Sequence, residues 1–231
     1  MLLKGLQKLT LLDFPGRMAA TVFTGGCNLR CPFCHNASLV LGERVKEGEV
    51  ISEAEFFEFL HKRRGILEGV CVSGGEPTLM PDLLPFLNNI KELGYLVKLD
   101  TNGTSPEIIR EGVSAGLIDY IAMDIKSSRE GYAEAVGIDG FDLSAVEESV
   151  SLLKSGIVDF EFRTTLVREL HSEREIIGIG EWLKGDARYF LQTFKDSGDV
   201  IGEGFSAYDE NRTKDLLNML LPYLPNAKIR G

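Results

Sequence analysis

Ala20-Thr-Val-Phe-Thr-Gly-Gly-Cys27-Asn-Leu-Arg-Cys31-Pro-Phe-Cys34-His-Asn36 joins an apolar, β-branched run to a glycine turn and then to three cysteines. Ala20 to Phe23 reads as a buried strand. Gly25 and Gly26 permit a loop tight enough to turn three thiolates toward one centre. Runs of the same kind follow at Val70 to Ser73, Leu96 to Asp100, Tyr120 to Asp124, Val158 to Thr165 and Tyr189 to Phe194. Helical patterns lie between most of them. Ser52/Glu55, Ser144/Glu147 and Ser172/Glu175 each have the spacing of a capping box, which marks a helix start. After Pro81, Leu83, Leu84, Leu87 and Ile90 share one helical face, and Ser105-Pro106 opens a helix carrying Ile109, Val113 and Leu117. Such alternation means parallel strands joined by right-handed crossovers, either curled into a whole or partial barrel or laid out as an open doubly wound sheet. Periodicity alone leaves that choice open. In both architectures ligands bind at the carboxyl ends of the strands, so chemistry is sought there.

The chain has 231 residues, 44% of them apolar, and shows no repeat, low-complexity segment or linker, so one domain over residues 1–231 is expected. No apolar run approaches the roughly 18 to 20 residues that span a bilayer, and no signal-peptide pattern follows Met1. A soluble cytoplasmic protein is the expectation. With 25 Lys plus Arg against 35 Asp plus Glu, the net charge of −10 argues against nucleic acid and anionic membrane as partners. Cys71 stands apart in an apolar run and reads as core; the clustering of Cys27, Cys31 and Cys34 reads as a metal site.

Three thiolates are one fewer than a structural zinc or an ordinary four-iron cluster takes, so a cluster held by these cysteines keeps one iron open. A zinc site completed by His35, or incidental buried thiols, are the competing readings. The Cys-x3-Cys-x2-Cys spacing with an aromatic, Phe33, before the last cysteine resembles the radical S-adenosylmethionine (SAM) superfamily. That resemblance implies a 4Fe-4S cluster on Cys27, Cys31 and Cys34, with SAM chelated at the open iron. One electron from the cluster then cleaves the sulfonium to a 5′-deoxyadenosyl radical, while the protein orients SAM and excludes water.

Later strand ends extend the likeness. Gly74-Gly75-Glu76-Pro77 is by itself a common strand-end turn; beside the cysteine motif it resembles the family element that holds the SAM amino group. Asp100-Thr-Asn102-Gly and Asp124-Ile-Lys126 resemble stretches of the glycyl-radical-enzyme activases. By that match Asp100 and Asn102 lie at the cosubstrate, Asp100 and Asp124 contact a monovalent cation, and Lys126 faces SAM. An Asp124–Lys126 salt bridge at a loop mouth is the plainer alternative. Arg163, in an apolar strand, needs an acceptor: the SAM carboxylate, or an internal partner such as Glu161. Phe33 and His35 fall where the activases contact adenine, and Leu11 to Arg17 resembles their amino-terminal signature. Lys195 stands where those proteins carry a histidine. Trp182 reads as packing. The resemblance covers about residues 5 to 195 and leaves the last 35 residues unread.

The resemblance implies a partial parallel (β/α)6 TIM-like barrel that generates a glycyl radical on a partner enzyme. With about 40 residues between the cysteine motif and Gly74-Gly75-Glu76, and no cysteine there before Cys71, the short form most resembles activating proteins of anaerobic ribonucleoside-triphosphate reductase. Reduced flavodoxin or ferredoxin is the implied electron donor. Competing functions are a pyruvate formate-lyase-type activase, a radical SAM enzyme acting on a small molecule, and a noncatalytic zinc or iron-sulfur module.

Overall fold

The strands that the sequence marks are near-continuous apolar runs, as expected of parallel strands covered on both faces. The computed structural model describes residues 1–42, 50–196 and 198–230. Six marked runs form β2 (Ala19–Thr24), β3 (Gly69–Gly74), β4 (Leu96–Thr101), β5 (Tyr120–Asp124), β6 (Asp159–Leu166) and β7 (Arg188–Thr193). Two strands add to these, β1 (Leu3–Thr10) before β2 and β8 (Ala227–Arg230) after β7. Both carry two charged residues and lie at the sheet edges, where a continuous apolar signal is not required.

The sheet runs β1 to β8 in chain order. β1 is antiparallel to β2, and every later pair is parallel. Sequential order with right-handed crossovers puts the connecting helices on one side and curls the sheet. A doubly wound sheet would instead reverse its strand order at a switch point. The edges β1 and β8 do not pair, so the barrel stays open.

The helices are α1 (Ala37–Val40), α2 (Glu53–Lys62), α3 (Leu83–Glu92), α4 (Pro106–Ser114), α5 (Tyr132–Val136), α6 (Ser144–Lys154), α7 (Glu173–Leu183) and α8 (Glu210–Leu220). Capping boxes start α2 at Ser52/Glu55 and α7 at Ser172/Glu175. The third expected box is absent. Ser144 is already helical and donates its amide to Asp142, while Glu147 accepts from Arg129. Val70 and Val72, Val97 and Leu99, Ile121 and Met123, and Tyr189 and Leu191 are buried, as is Trp182, which packs edge-on against Tyr132.

Leu11 to Arg17 closes the amino-terminal end of the barrel. Phe14 is buried against Tyr120 and Ala19, and Asp13 accepts from the Thr21 hydroxyl at 2.5 Å. This stretch therefore lies at the opposite end of the strands from their carboxyl termini. Fully buried Glu161 fastens β8: Arg230 donates to its two carboxylate oxygens at 2.6 and 2.9 Å, and the Tyr120 hydroxyl donates at 2.9 Å. Arg230→Met is expected to cost about 2 kcal/mol, less than a fully buried pair because water reaches Arg230. An unchanged urea midpoint would show that the pair contributes nothing.

Candidate active site

The carboxyl ends of β2 to β7 and the loops leaving them surround a cavity of about 410 Å³. It is lined by Cys27, Cys31, Phe33, Cys34 and His35 after β2, and by Gly74, Gly75 and Glu76 at β3. Asp100 and Asn102 at β4, Asp124 and Lys126 at β5, and Arg163 on β6 complete the residues that the motifs singled out. The structure thus brings all of them to one wall-to-wall space. Ser73, Thr101, Thr165 and Gln192 join them without having been marked by the sequence. Gln192 supplies the β7 side of the cavity, whereas Lys195 is exposed and outside it.

The cysteine loop is fixed from three directions. At its root, the Gly75 amide donates to the Thr24 carbonyl at 2.9 Å and the Glu76 amide to the Gly26 carbonyl at 2.8 Å. In its middle, Asn102 donates to Asn28 at 2.9 Å, and the Arg30 amide donates to the Val136 carbonyl at 2.9 Å. At its end, the amides of Ile201 and Gly202 donate to the carbonyls of Cys34 and Pro32 at 3.1 and 2.7 Å, and the Ala37 amide reaches the Asp199 carbonyl at 3.1 Å. Phe33 is buried with its ring edge-on to that of buried His171.

All four cysteines are free thiols. Burial pushes the Cys31 thiol up to about 12, with Lys126 opposing the rise and the neighbouring cysteines adding to it. Among the described residues no three His, Cys, Asp or Glu side chains could hold a single metal ion. Cys27, Cys31 and Cys34 share one cavity, which His35 also lines.

Glu76 is buried and bound within the protein. It accepts from the Thr78 amide and hydroxyl at 3.1 and 2.6 Å, the Thr101 hydroxyl at 2.8 Å and the Asn102 amide at 2.6 Å. Its carboxylate welds the β3 turn to the end of β4. Burial still raises it above the ordinary glutamate value, against the lowering by these bonds.

A chain of alternating charges crosses the cavity floor. Strand register sets Arg163 opposite Asp124 and Lys98 opposite Cys71. Lys98 pairs with Asp100, Asp100 with Arg163 at 3.3 Å, Arg163 with Asp124 at 2.9 Å, and Asp124 with Lys126 at 2.9 Å. The acceptors of Arg163 are thus two cavity carboxylates, not Glu161, and the Asp124–Lys126 bridge is present at the cavity. Burial alone would raise Asp124, but Arg163 and Lys126 outweigh it and hold the carboxyl far below its usual range. Asp100 is likewise held down by Arg163 and Lys98 against its burial. Lys98 is raised by Asp100 and Cys71 in spite of the burial that opposes its charge.

The radical SAM superfamily model matches residues 21–177, from β2 into α7. The chain belongs to the radical SAM superfamily, whose cofactors are a 4Fe-4S cluster and SAM. Within it, the chain is one of the glycyl-radical enzyme activating enzymes. A Methanocaldococcus jannaschii protein bearing that name is 34% identical over 99% of this chain and 95% of its own. The pyruvate formate-lyase-activating enzyme of Clostridium pasteurianum is 33% identical over 62% of this chain and 61% of its own. The fold is shared with Streptococcus suis SuiB bound to S-adenosylmethionine, at a TM-score of 0.67 and 17% identity, over 90% of this chain and 49% of that one. Among the described residues no helix is long and apolar enough to cross a membrane.

Proposed function

We propose that the cavity holds a 4Fe-4S cluster on Cys27, Cys31 and Cys34 with SAM beside it, and that the protein makes a glycyl radical on anaerobic ribonucleoside-triphosphate reductase. The observation that carries the site reading is the convergence of six strand ends on one cavity lined by the three cysteines, the paired glycines and Glu76, Asp100, Asp124, Lys126 and Arg163. Cys27, Cys31 and Cys34 would hold the cluster, which would supply the electron for reductive cleavage of SAM and so the hydrogen abstraction from the partner's glycine. This chain's residues bind and orient. Gly74, Gly75 and the Glu76-anchored turn face the amino group, and Lys126 and Arg163 draw the carboxylate. Asp100 places negative charge near the sulfonium. Phe33 and His35 offer ring and backbone to adenine, and buried Leu29 and Phe33 help keep water off.

Support for the reductase comes from the short loop region before Cys71, which has no cysteines for a further cluster. A reduced flavodoxin or ferredoxin supplies the low-potential electron. The need for reduced thiols places the protein in the cytoplasm. The test is anaerobic iron and sulfide analysis of reconstituted protein, then dithionite and SAM with assay of 5′-deoxyadenosine, then electron paramagnetic resonance of candidate partners. A glycyl signal on the reductase and none on pyruvate formate-lyase is the expected result. The reverse pattern would assign the pyruvate formate-lyase partner, and nucleoside without a radical on either would point to a small-molecule substrate.

A further inference from the structure

Likeness to the activases leads to the expectation of a monovalent cation at Asp100 and Asp124, and the side chains present do not fit one. One Asp100 oxygen takes the Lys98 ammonium; the other accepts from the Ser73 hydroxyl at 3.0 Å and from Arg163 at 3.3 Å. One Asp124 oxygen accepts from Arg163 at 2.9 Å and the other from Lys126 at 2.9 Å. Each carboxylate oxygen thus has a donor, and Lys98, Arg163 and Lys126 outnumber the two carboxylates. The remaining carboxylate of the cavity, Glu76, is turned to Thr78, Thr101 and Asn102. An added ion would meet fixed positive charge with no cavity carboxylate oxygen left unpaired to hold it.

Lys98 has no other evident task. Its side chain is 1% exposed, it does not line the cavity, and Asp100 is its one charged partner among the described residues. Its ammonium lies 3.7 Å from the Cys71 sulfur, in the barrel interior directly beneath Asp100. A lysine is rarely retained in such a place unless its charge is used, since desolvation opposes it.

We propose that Lys98 supplies from within the chain the positive charge that a bound monovalent ion would otherwise give Asp100, so that SAM binds without added sodium or potassium. Lys98 is a positioning residue, acting on the cofactor through Asp100. The inference rests on the reading of the cavity as the SAM site and is independent of which partner is activated.

Equilibrium dialysis of SAM against the cluster-loaded protein tests it, at one ionic strength set by tetramethylammonium, sodium or potassium chloride. Wild-type affinity is expected to change less than about twofold among the salts. Lys98→Met is expected to bind SAM about tenfold more weakly in tetramethylammonium and to recover in sodium or potassium. Melting of the cluster-free variant is expected to rise with the same two ions, a response that a merely structural loss would not show. Potassium that tightened wild-type binding about tenfold would overturn the proposal alone. So would a folded Lys98→Met that bound SAM normally without either ion. Wild-type protein binding no SAM in any salt would overturn the cavity reading and the proposal with it. Where Lys98→Met fails to fold, Lys98→Gln takes its place in the same series.

Discussion

Cys31→Ala is expected to yield a folded protein that retains little iron and releases 5′-deoxyadenosine at background. Cys31 is the central and most buried of the three cavity thiols, and its loop is held by backbone bonds at both flanks that an alanine leaves in place. Folding should therefore survive. Losing a direct ligand should exceed the ~10–100-fold loss that follows removal of a group merely supporting a metal ligand, so turnover should fall by more than about a hundredfold. Iron and sulfide content and the nucleoside assay, compared at equal melting temperature, separate loss of the cluster from loss of the fold. Undiminished SAM cleavage would remove Cys31 from the cluster.

Gly75→Ala is expected to damage both fold and site. A Cβ at this position would stand 1.9 Å from the Gly26 carbonyl oxygen and 2.6 Å from its carbon. Both obstacles are backbone, so neither can rotate away. The root of the cysteine loop and the β3 turn would have to separate, breaking the Glu76-to-Gly26 bond and loosening the clasp of Glu76 on β4. A loss of about 3 kcal/mol is expected, at the upper end of the usual cost of overpacking a well-ordered interior. Gly116→Ala is the comparison, because that glycine has a φ of +69° but nothing within 4 Å of the added carbon. It should cost only about 1 kcal/mol, from backbone conformation. Equal effects of the two substitutions would show that the close approach of Gly26 and Gly75 does not matter.

The strands β2 to β7 were legible because their helix-facing positions are filled by valine, leucine, isoleucine and aromatic residues. Their sequential order, which makes the sheet a barrel segment, is a property of crossover direction and leaves no periodic mark. β1 and β8 escaped notice because charged residues interrupt them and edge strands need little apolar surface. Within the site, the cysteines, the paired glycines and the strand-end carboxylates announced themselves by type and spacing. Lys98 did not, since a single lysine inside the apolar run Leu96 to Asp100 belongs to no motif. Only the curl of the sheet turns its side chain inward. Ser144 misled for a smaller reason: Asp142 took the amide that the box would have satisfied, and the helix began one residue early. Asp199 to Gly202 left no signal, because their contacts to the cysteine loop run mostly between amides and carbonyls that every residue type carries.

Those last contacts fix an order of events during synthesis. The three cysteines leave the ribosome early, yet the amides that grip the carbonyls of Pro32 and Cys34 lie beyond Thr193, the last residue of β7. A nascent chain therefore exposes its thiols long before it can confine them. The loop reaches its final setting only after residues 199–202 have been made, and until then these cysteines are open to oxidation or to a stray metal.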